Sequence, residues 1–302
     1  MNISLIGKNV RIKGNIVLPL FELKDLEKKS LFKTLGKTDQ DYLKKSASQI
    51  NWNEKESRVF LLPSNPKTKI VLIGMGEKKN WQRKKLTLSA RRIVLTLKSQ
   101  KIDSAMLSLS DFNVPPPKAR LATGGKIEAN EIVSVLAQNF LMADFEFLKF
   151  KEKPKDGWPQ IKEIKIIADK PEKLKKYLQE GVFIGEEVNN CRVLANTPGS
   201  LMTPKKLAEE AKKAAKNLKI KTKIIGPKEM AKLKMGGILG VSSGSDEEPR
   251  VIIMEYGPAN KKPIVFVGKG LTFDSGGLNI KPSEYMLEMH MDMSGGAAVI
   301  CA

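Results

Sequence analysis

The sequence predicts an α/β protein with two domains joined by a long helix. A length of 302 residues corresponds to about two domains of ordinary size. In both halves of the chain, short apolar runs bounded by glycine and proline alternate with amphipathic helical patterns, which is typical of layered α/β structure. No stretch approaches the roughly 18 consecutive apolar residues of a membrane-spanning helix. We therefore expect a soluble, globular protein without a membrane segment.

Strand and helix patterns alternate along the first half of the chain. Residues 59–62 and 69–74 are short apolar runs bounded by turn-forming residues, which predicts buried strands. Apolar side chains spaced three and four positions apart predict helices over residues 86–97 and 129–147. Residues 161–168 alternate between charged and apolar side chains and are predicted to form a further strand.

Residues 171–195 have the pattern of one long helix with a charged outer face. We therefore predict an N-terminal domain over residues 1–170, a linker helix over residues 171–195 and a second domain over residues 196–302. In the second domain, a helix is predicted to begin at Thr203 and Pro204. Threonine caps free backbone N–H groups, and proline suits the first helical position because it has no N–H.

Three strands and a short helix are predicted further along the second domain. Residues 219–226, 251–255 and 264–267 are apolar or alternating runs bounded by glycine, proline and asparagine, which predicts strands. Residues 227–234 have a helical pattern. The second half of the chain is therefore also predicted to be α/β.

The net charge of +20 raises the alternative of nucleic-acid binding, because a basic surface attracts phosphates. Residues 240–302 contain five basic and eight acidic residues, so the first 239 residues carry a net charge of +23. The lysines there occur as pairs mixed with acidic residues, without interleaved aromatic residues. Solvated helix faces explain this distribution better, and nucleic-acid binding stays the less favoured alternative.

The cysteines and the N-terminus predict a cytoplasmic protein. The two cysteines, Cys191 and Cys301, have no metal-type spacing, which is typical of a reducing compartment. Polar and basic residues interrupt the apolar runs near the N-terminus, so no secretory signal peptide is predicted.

Ionisable residues and glycines are concentrated in two segments, residues 267–284 and 288–296. The first segment directly follows the strand predicted at residues 264–267, and ligands of open α/β sheets bind beyond the carboxyl ends of strands. Its glycines let the backbone approach a ligand or another chain, although tight turns alone would also explain them. A dinucleotide site is not predicted, because Gly268 and Gly270 lack the third glycine of that fingerprint.

These segments resemble the leucyl (cytosol) aminopeptidase family. The matching sequences are VGKGLTFDSGGLNIKP at residues 267–282 and MxMDMSGGAA at residues 289–298. Further similarity lies in NTPGSLMTP, EMAKLKMG and GVSSGS, at residues 196–204, 229–236 and 240–245. The resemblance implies that the first domain is a macro-domain-like α/β domain and that the second is an α/β metallo-exopeptidase catalytic domain.

The resemblance also implies a two-metal site. Lys269, Asp274 and Asp292 stand at metal-ligand positions of the family, and Lys281 stands at a catalytic position. The implied cofactors are two divalent ions, Mn²⁺ or Zn²⁺, which carboxylate and amine ligands both suit. A lysine binds a metal only as the neutral amine, so the pKa of Lys269 is expected to be depressed by burial and neighbouring cations.

The implied activity is removal of N-terminal amino acids, with a leucine-type preference, from peptides. Two metal ions about 3.5–4 Å apart would activate a hydroxide and polarise the scissile carbonyl. Lys281 would stay protonated and stabilise the tetrahedral intermediate. The family also implies a homo-oligomer, a hexamer.

Taken singly, these positions have simpler explanations. Lys269 would ordinarily be a solvated lysine, Asp274 a turn-former and Asp292 a helix N-cap, so only their joint spacing favours a site. His290 is the only histidine, but its position is not part of the family motif and we assign it no role. Ser275 lies in a DSGG sequence like that of trypsin-like serine proteases, which need a neighbouring histidine base and a disulfide-linked β-barrel, so that interpretation is rejected.

The family pattern continues beyond the position that Ala302 matches, with a segment similar to NTDAEGR that supplies a further metal-binding aspartate, a bridging glutamate and a catalytic arginine. We therefore expect a sequence truncated within the catalytic domain, because three ligands do not close two metal sites. Two alternatives remain: a non-catalytic relative that binds nucleic acid through its basic first 239 residues, and a partner that assembles with complete family members.

Overall fold

The computed structural model describes most of the chain, namely residues 1–9, 13–113, 127–258 and 260–302. The chain divides into two compact units, Met1–Glu186 and Glu187–Ala302. Both units contain helices and strands, which confirms the predicted α/β class. None of the described helices is long and apolar enough to cross a membrane.

A six-stranded sheet forms the centre of the first unit, as far as that unit is described. In chain order its strands are β1 (Asn2–Gly7), β2 (Asn15–Leu20), β3 (Ser57–Leu62), β4 (Asn65–Gly74), β5 (Ser104–Ser108) and β6 (Glu163–Ala168). They lie in the order β1-β6-β5-β2-β4-β3 and are parallel, except that β3 pairs antiparallel with β4. The strands predicted at residues 59–62, 69–74 and 161–168 are confirmed as β3, β4 and β6.

Helices pack against both faces of this sheet. In chain order they are α1 (Ser30–Lys33), α2 (Lys37–Gln49), α3 (Arg83–Ser99), α4 (Ala129–Asp144) and the first half of α5 (Pro171–Asn196). One core contains Phe32 and lies between the sheet and the first two helices, and the other contains Phe140 and lies between the sheet and α3, α4 and α5. The helices predicted over residues 86–97 and 129–147 are confirmed as α3 and α4.

Side chains of the central strands alternate between the two cores. In β2, Ile16 and Leu18 point to the core with α2, whereas Val17 points to the core with α3 and α4. In β4, Leu72 points to the core with α2, and Val71 points to the core with α3 and α4. All of these side chains are buried. A strand that is covered on both faces buries every side chain, which explains why the sequence shows uninterrupted apolar runs here.

An ion pair lies inside the first unit. Nζ of Lys29, just before α1, lies 3.7 Å from Oδ1 of Asp111, which follows β5, and the two side chains are 10% and 4% exposed. Burial raises the pKa of Asp111 to about 6 and lowers the pKa of Lys29. Oδ2 of Asp111 is also buried and has no hydrogen-bond partner among the described residues. Both Lys29 and Asp111 therefore lose favourable hydration free energy when the protein folds.

The long helix predicted from residue 171 is present as α5, which has 26 residues. Its first half packs tightly on α4, because a Cβ at Gly181 would overlap the backbone oxygen of Ser134 and one at Gly185 would lie 3.0 Å from that of Gln138. Glycine at these two positions permits the close approach of the helices. The division between the two units falls within α5, at Glu186.

The second unit begins with the other half of α5 and contains shorter elements. In chain order they are α6 (Pro204–Ala215), β7 (Ile220–Ile225), α7 (Pro227–Lys232), α8 (Gly236–Ser242), β8 (Val251–Tyr256), α9 (Ser283–Met286) and α10 (Ser294–Ile300). β7 and β8 pair antiparallel, and both strands were predicted. The predicted start of α6 is confirmed, since Oγ1 of Thr203 accepts a hydrogen bond of 3.2 Å from the N–H of Lys206.

The strand predicted at residues 264–267 is not formed. The four side chains are between 73% and 90% exposed, and no strand of the described chain pairs with this segment. The prediction was wrong because apolar sequence indicates only a propensity. A strand also needs a neighbouring strand for its backbone hydrogen bonds and a packing layer for its side chains.

Candidate functional site

The four candidate residues lie in the second unit, on irregular backbone near α9 and α10. Lys269 and Asp274 are on the segment between β8 and α9, Lys281 lies two residues before α9, and Asp292 lies two residues before α10. The expected support of a buried strand directly before Lys269 is absent, because residues 264–267 are exposed. The positions of these side chains therefore depend on turns and glycine contacts within the segments themselves.

The four side chains form two ion pairs. Nζ of Lys281 lies 2.8 Å from Oδ2 of Asp274, with the geometry of a hydrogen bond. Nζ of Lys269 lies 2.7 Å from Oδ2 of Asp292. The pairs are close to each other, since the charge of Asp274 also acts on the pKa of Lys269. The structure therefore brings the four candidate residues into one cluster.

A tight turn places Lys281 beside Asp274. The N–H of Gly276 donates a 3.0 Å hydrogen bond to Oδ1 of Asp274, and the N–H of Lys281 donates one of 2.9 Å to the carbonyl of Ser275. Gly276 has φ +92°, and a Cβ there would lie 2.5 Å from the carbonyl oxygen of Asn279. Only glycine fits this conformation without strain, so the turn explains why the sequence has glycine after the DS pair.

Close backbone contact places Lys269 beside Asp292. A Cβ at Gly268 would overlap the carbonyl oxygen of Gly295 in the first turn of α10, so the two segments meet backbone to backbone. The N–H of Gly296 donates a 2.6 Å hydrogen bond to the carbonyl of Lys269. Gly268 therefore permits a close backbone approach, as expected of the glycines, but the partner is another segment of the same chain and neither a ligand nor a second chain.

Met289 is a residue of this cluster that the sequence did not single out. Its carbonyl accepts a 3.4 Å hydrogen bond from the N–H of Asp274, and its sulfur lies 3.0 Å from Nζ of Lys281. It therefore joins the two segments and helps to fix the lysine. Its place in the methionine-rich motif at residues 289–293 was visible, but an apolar side chain there gives no signal of a polar contact.

Each ion pair shifts a pKa toward the charged form. The hydrogen bond from Lys281 holds the pKa of Asp274 below its usual value. The hydrogen bond to Asp292 raises the pKa of Lys269, whose side chain is 60% exposed. A solvated ammonium group beside a carboxylate retains its proton. The depressed pKa expected for Lys269 beside neighbouring cations stays a prediction.

The donor set fits a divalent cation. Asp274 and Asp292 supply carboxylate oxygens, which Mg²⁺, Mn²⁺ and Zn²⁺ accept as ligands. Oδ2 of Asp292 is buried, and its partner among the described residues is the ammonium group of Lys269, 2.7 Å away. Such an oxygen is costly unless a donor or a cation satisfies it. No group of three or more His, Cys, Asp or Glu side chains is placed to hold a metal in the part of the chain that the structure describes, so the two aspartates alone do not form a complete ligand set.

The fold and the site define a two-unit α/β protein with a candidate metal site of aspartates and lysines in its second unit. Two family models match the chain: the N-terminal domain of the Cytosol aminopeptidase family over residues 17–154, and the catalytic domain of that family over residues 189–302. The chain therefore belongs to the cytosol aminopeptidase family. All four candidate residues lie in the range that the catalytic-domain model matches.

Curated relatives include probable cytosol aminopeptidases of Bdellovibrio bacteriovorus and Nitrosococcus oceani. The first is 35% identical over 238 residues, which are 76% of this chain and 45% of the relative. The second is 32% identical over 294 residues, which are 94% of this chain and 56% of the relative. The chain thus spans about half the length of the curated relatives it matches.

Solved structures with the same fold include a mutant of tomato leucine aminopeptidase and the bottromycin maturation enzyme BotP in complex with Mn. The tomato protein has a TM-score of 0.74 at 23% identity, over 100% of this chain and 58% of that protein. BotP has a TM-score of 0.69 at 19% identity, over 95% of this chain and 54% of that protein. At 23% and 19% sequence identity, the structural similarity supports the assignment of the fold.

Proposed function

We propose that this chain carries part of a metal-dependent aminopeptidase that removes N-terminal amino acids, with a leucine-type preference, from peptides. The observation that carries the proposal is the cluster of two ion pairs, Lys281 with Asp274 and Lys269 with Asp292. These are the residues at the family's motif positions, and they meet in space from four separate positions of the sequence. The nucleic-acid alternative is not favoured, because the matching family models and relatives are named as peptidases.

In this proposal, Lys269, Asp274 and Asp292 hold two divalent ions, Mn²⁺ or Zn²⁺. When bound, such ions lower the pKa of water and polarise a carbonyl group. The largely buried carboxylate of Asp292, which lies 2.7 Å from the cationic Lys269, supports a role as a ligand. Lys269 becomes a ligand only after it gives up its proton and its pairing with Asp292, so cation binding competes with that ion pair.

Lys281 keeps its proton and stabilises negative charge on the substrate carbonyl oxygen. Its hydrogen bond to Asp274 and its contact with the sulfur of Met289 fix the ammonium group. A fixed donor of this kind contributes roughly 3–4 kcal/mol to the stability of an oxyanion. A half-buried side chain, 28% exposed, suits this role because it is held in place and can still reach a ligand.

Three protein ligands leave most coordination positions of two ions open, so the full site needs further donors. The activity proposed here is that of the whole protein, for which hexameric assembly is part of the same proposal. The mass of the assembly by light scattering tests the oligomeric state separately from the chemistry.

The test of the proposed activity is release of leucine from N-terminal leucine peptides, with and without Mn²⁺ or Zn²⁺. We expect sequential release from the N-terminus that stops on addition of a chelator and resumes when the metal is restored. Peptides with an acetylated N-terminus serve as the control and should stay intact. Cleavage of the acetylated peptides, or hydrolysis that persists in chelator, would contradict a metal-dependent aminopeptidase.

A further inference from the structure

A cavity with a basic lining lies in the second unit, between the end of α6 and the start of β7. Its volume is about 420 Å³, and its lining residues are Lys212, Lys213, Ala215, Lys216, Ile220 and Thr222. All six belong to one compact unit, and none of them is among the four candidate site residues. The function proposed above gives this cavity no role.

The positive charge at this cavity exceeds the charge of the carboxylates beside it. Residues 212–223 contain six lysines and no acidic residue. Nζ of Lys213 lies 3.8 Å from Oε2 of Glu210. Lys212 and Lys216 form no ion pair within the part of the chain that the structure describes, and like charges four positions apart repel each other. An anion bound in the cavity would relieve this repulsion.

The end of α6 explains part of this charge without a ligand. The last carbonyl groups of a helix carry partial negative charge, which lysines in the final turn stabilise. That interaction requires neither a cavity nor a polar group on the neighbouring strand. The observation that points to a ligand is therefore a side chain of β7.

Thr222 presents an unsatisfied hydroxyl group at the wall of the cavity. Ile220 and Thr222 share one face of β7, because alternate side chains of a strand point to the same side, and both line the cavity. Oγ1 of Thr222 is buried and has no hydrogen-bond partner among the described residues. Such burial costs free energy that a valine of nearly the same shape would avoid. The hydroxyl is therefore a donor that a ligand can use.

Backbone hydrogen bonds fix both sides of the cavity. The N–H of Lys216 donates a 3.1 Å hydrogen bond to the carbonyl of Lys213, and the N–H of Leu218 donates one of 3.1 Å to the carbonyl of Ala215. These bonds form the turn that leaves α6, and β7 pairs along its whole length with β8. The backbone that carries the lysines and the hydroxyl is thus preorganised, which reduces the entropy lost when a ligand binds.

We propose that this cavity binds an organic phosphate monoester, with its phosphate group at the three lysines and Thr222 and its organic group on Ala215 and Ile220. Each lysine supplies a point charge with three donors, which suits a phosphate, and its flexible stem lets the charge follow the ligand. A cavity of this volume has the size of a small-molecule site, so it has room for more than the phosphate group. The inference does not depend on the proposed peptidase activity.

The test is calorimetric titration of the full chain with phenyl phosphate, with inorganic phosphate and neutral benzyl alcohol as comparison ligands. Divalent cations are left out because they bind phosphate themselves. We expect phenyl phosphate to bind about threefold or more tightly than inorganic phosphate, because its ring is buried on the apolar wall. It should bind about tenfold or more tightly than benzyl alcohol, which has no charge for the lysines.

Thr222→Val removes the hydroxyl and keeps the branched shape, so it tests the polar contact directly. It should weaken the binding of phenyl phosphate by about fivefold or more, while chemical denaturation shows an unchanged or higher stability. Lys216→Met should weaken binding by about threefold or more. Lys205→Met removes the same charge at the exposed start of α6, outside the lining, and is the matched control. It should bind within about twofold of the wild type, because salt screens a charge at that distance.

The site would be overturned by wild-type affinity for phenyl phosphate in both Thr222→Val and Lys216→Met, or by equal affinity for the three ligands. Equal losses in Lys216→Met and Lys205→Met would show only a general attraction by the basic surface, which also contradicts a site. Tighter binding of single-stranded oligothymidylate than of phenyl phosphate would assign the lysines to nucleic acid instead. Peptide hydrolysis is not a readout of this experiment, so the proposed activity is tested separately.

Discussion

The ammonium group of Lys281 lies 2.8 Å from Oδ2 of Asp274, seven residues earlier in the chain. One residue of this pair is a proposed catalytic group and the other a proposed metal ligand. The turn at Gly276 brings the side chains of Asp274 and Lys281 into contact. The metal site and the charge that stabilises the oxyanion are therefore built by a single short segment.

Replacing Lys281 with methionine is expected to lower kcat by about 10²–10³-fold with a smaller change in KM, because the lost charge acts mainly on the transition state. Steady-state kinetics of the metal-loaded protein provide the measurement. Lys262→Met, at an exposed position outside the cluster, is the control and should leave kcat unchanged. A Lys281→Met protein with the wild-type kcat would exclude the proposed role.

Gly276→Ala is expected to disrupt the turn that joins Lys281 to Asp274. The added Cβ meets the carbonyl oxygen of Asn279 at 2.5 Å at a φ of +92°, so the loop must move at a cost of about 1–3 kcal/mol. Gly277→Ala is the matched control, since its φ is also positive, at +75°, but its Cβ meets nothing within 4 Å. Metal affinity should fall clearly more in the first variant than in the second, and equal losses would contradict this account of the turn.

Gly181→Ala is expected to destabilise the first unit although alanine favours helices. The added methyl group would overlap the backbone oxygen of Ser134, so α5 must move away from α4, which costs about 1–3 kcal/mol. Gly240→Ala in α8 has open space at its Cβ and should instead be neutral or stabilising by up to about 1 kcal/mol. Chemical denaturation measures both variants, and a stabilising Gly181→Ala would contradict the close packing of the two helices.

The buried pair of Lys29 and Asp111 is expected to make stability depend on pH. The pKa of Asp111 is raised from 3.8 to about 6, so the folded state binds its proton more tightly than the unfolded state does. The resulting stabilisation is full below about pH 4 and is lost as the pH rises through 6, by up to about 3 kcal/mol.

Asp111→Asn removes this titration and supplies the comparison. The difference in free energy of unfolding between the two proteins should shift in favour of Asp111→Asn as the pH rises from 4 to 7.5, because only the wild type must then ionise a buried carboxyl group. The other carboxyl groups titrate in both proteins, so their contributions cancel in the difference in free energy of unfolding. A difference that stays constant over this range would show that Asp111 has an ordinary pKa.

The sequence was sufficient to predict the elements that bury their own apolar faces. α3 and α4 show apolar side chains at helical spacing, and β4 shows a continuous apolar run because both of its faces are covered. The start of α6 was predictable from Thr203 and Pro204, since capping is a local interaction. Local signals of this kind need no knowledge of the rest of the fold.

The remaining features depend on partners that are distant in the sequence. Residues 264–267 have the composition of a strand, but no described strand pairs with them and they stay exposed. The motif positions identified Lys269 and Asp292, whereas their direct pairing and the raised pKa of Lys269 follow from geometry. The contact of Met289 with Lys281 was not predictable either, because methionine in an apolar motif carries no sign of a polar neighbour.

The most direct test of the central claim is the affinity of the protein for Mn²⁺, measured by calorimetry on the wild type, on Asp292→Asn and on Asp246→Asn. Asp292 presents a buried carboxylate oxygen beside Lys269, whereas Asp246 is an exposed aspartate outside the cluster. We predict that Asp292→Asn weakens binding by about tenfold or more and that Asp246→Asn binds as the wild type does. Equal affinities in all three proteins would contradict the assignment of this cluster as the metal site.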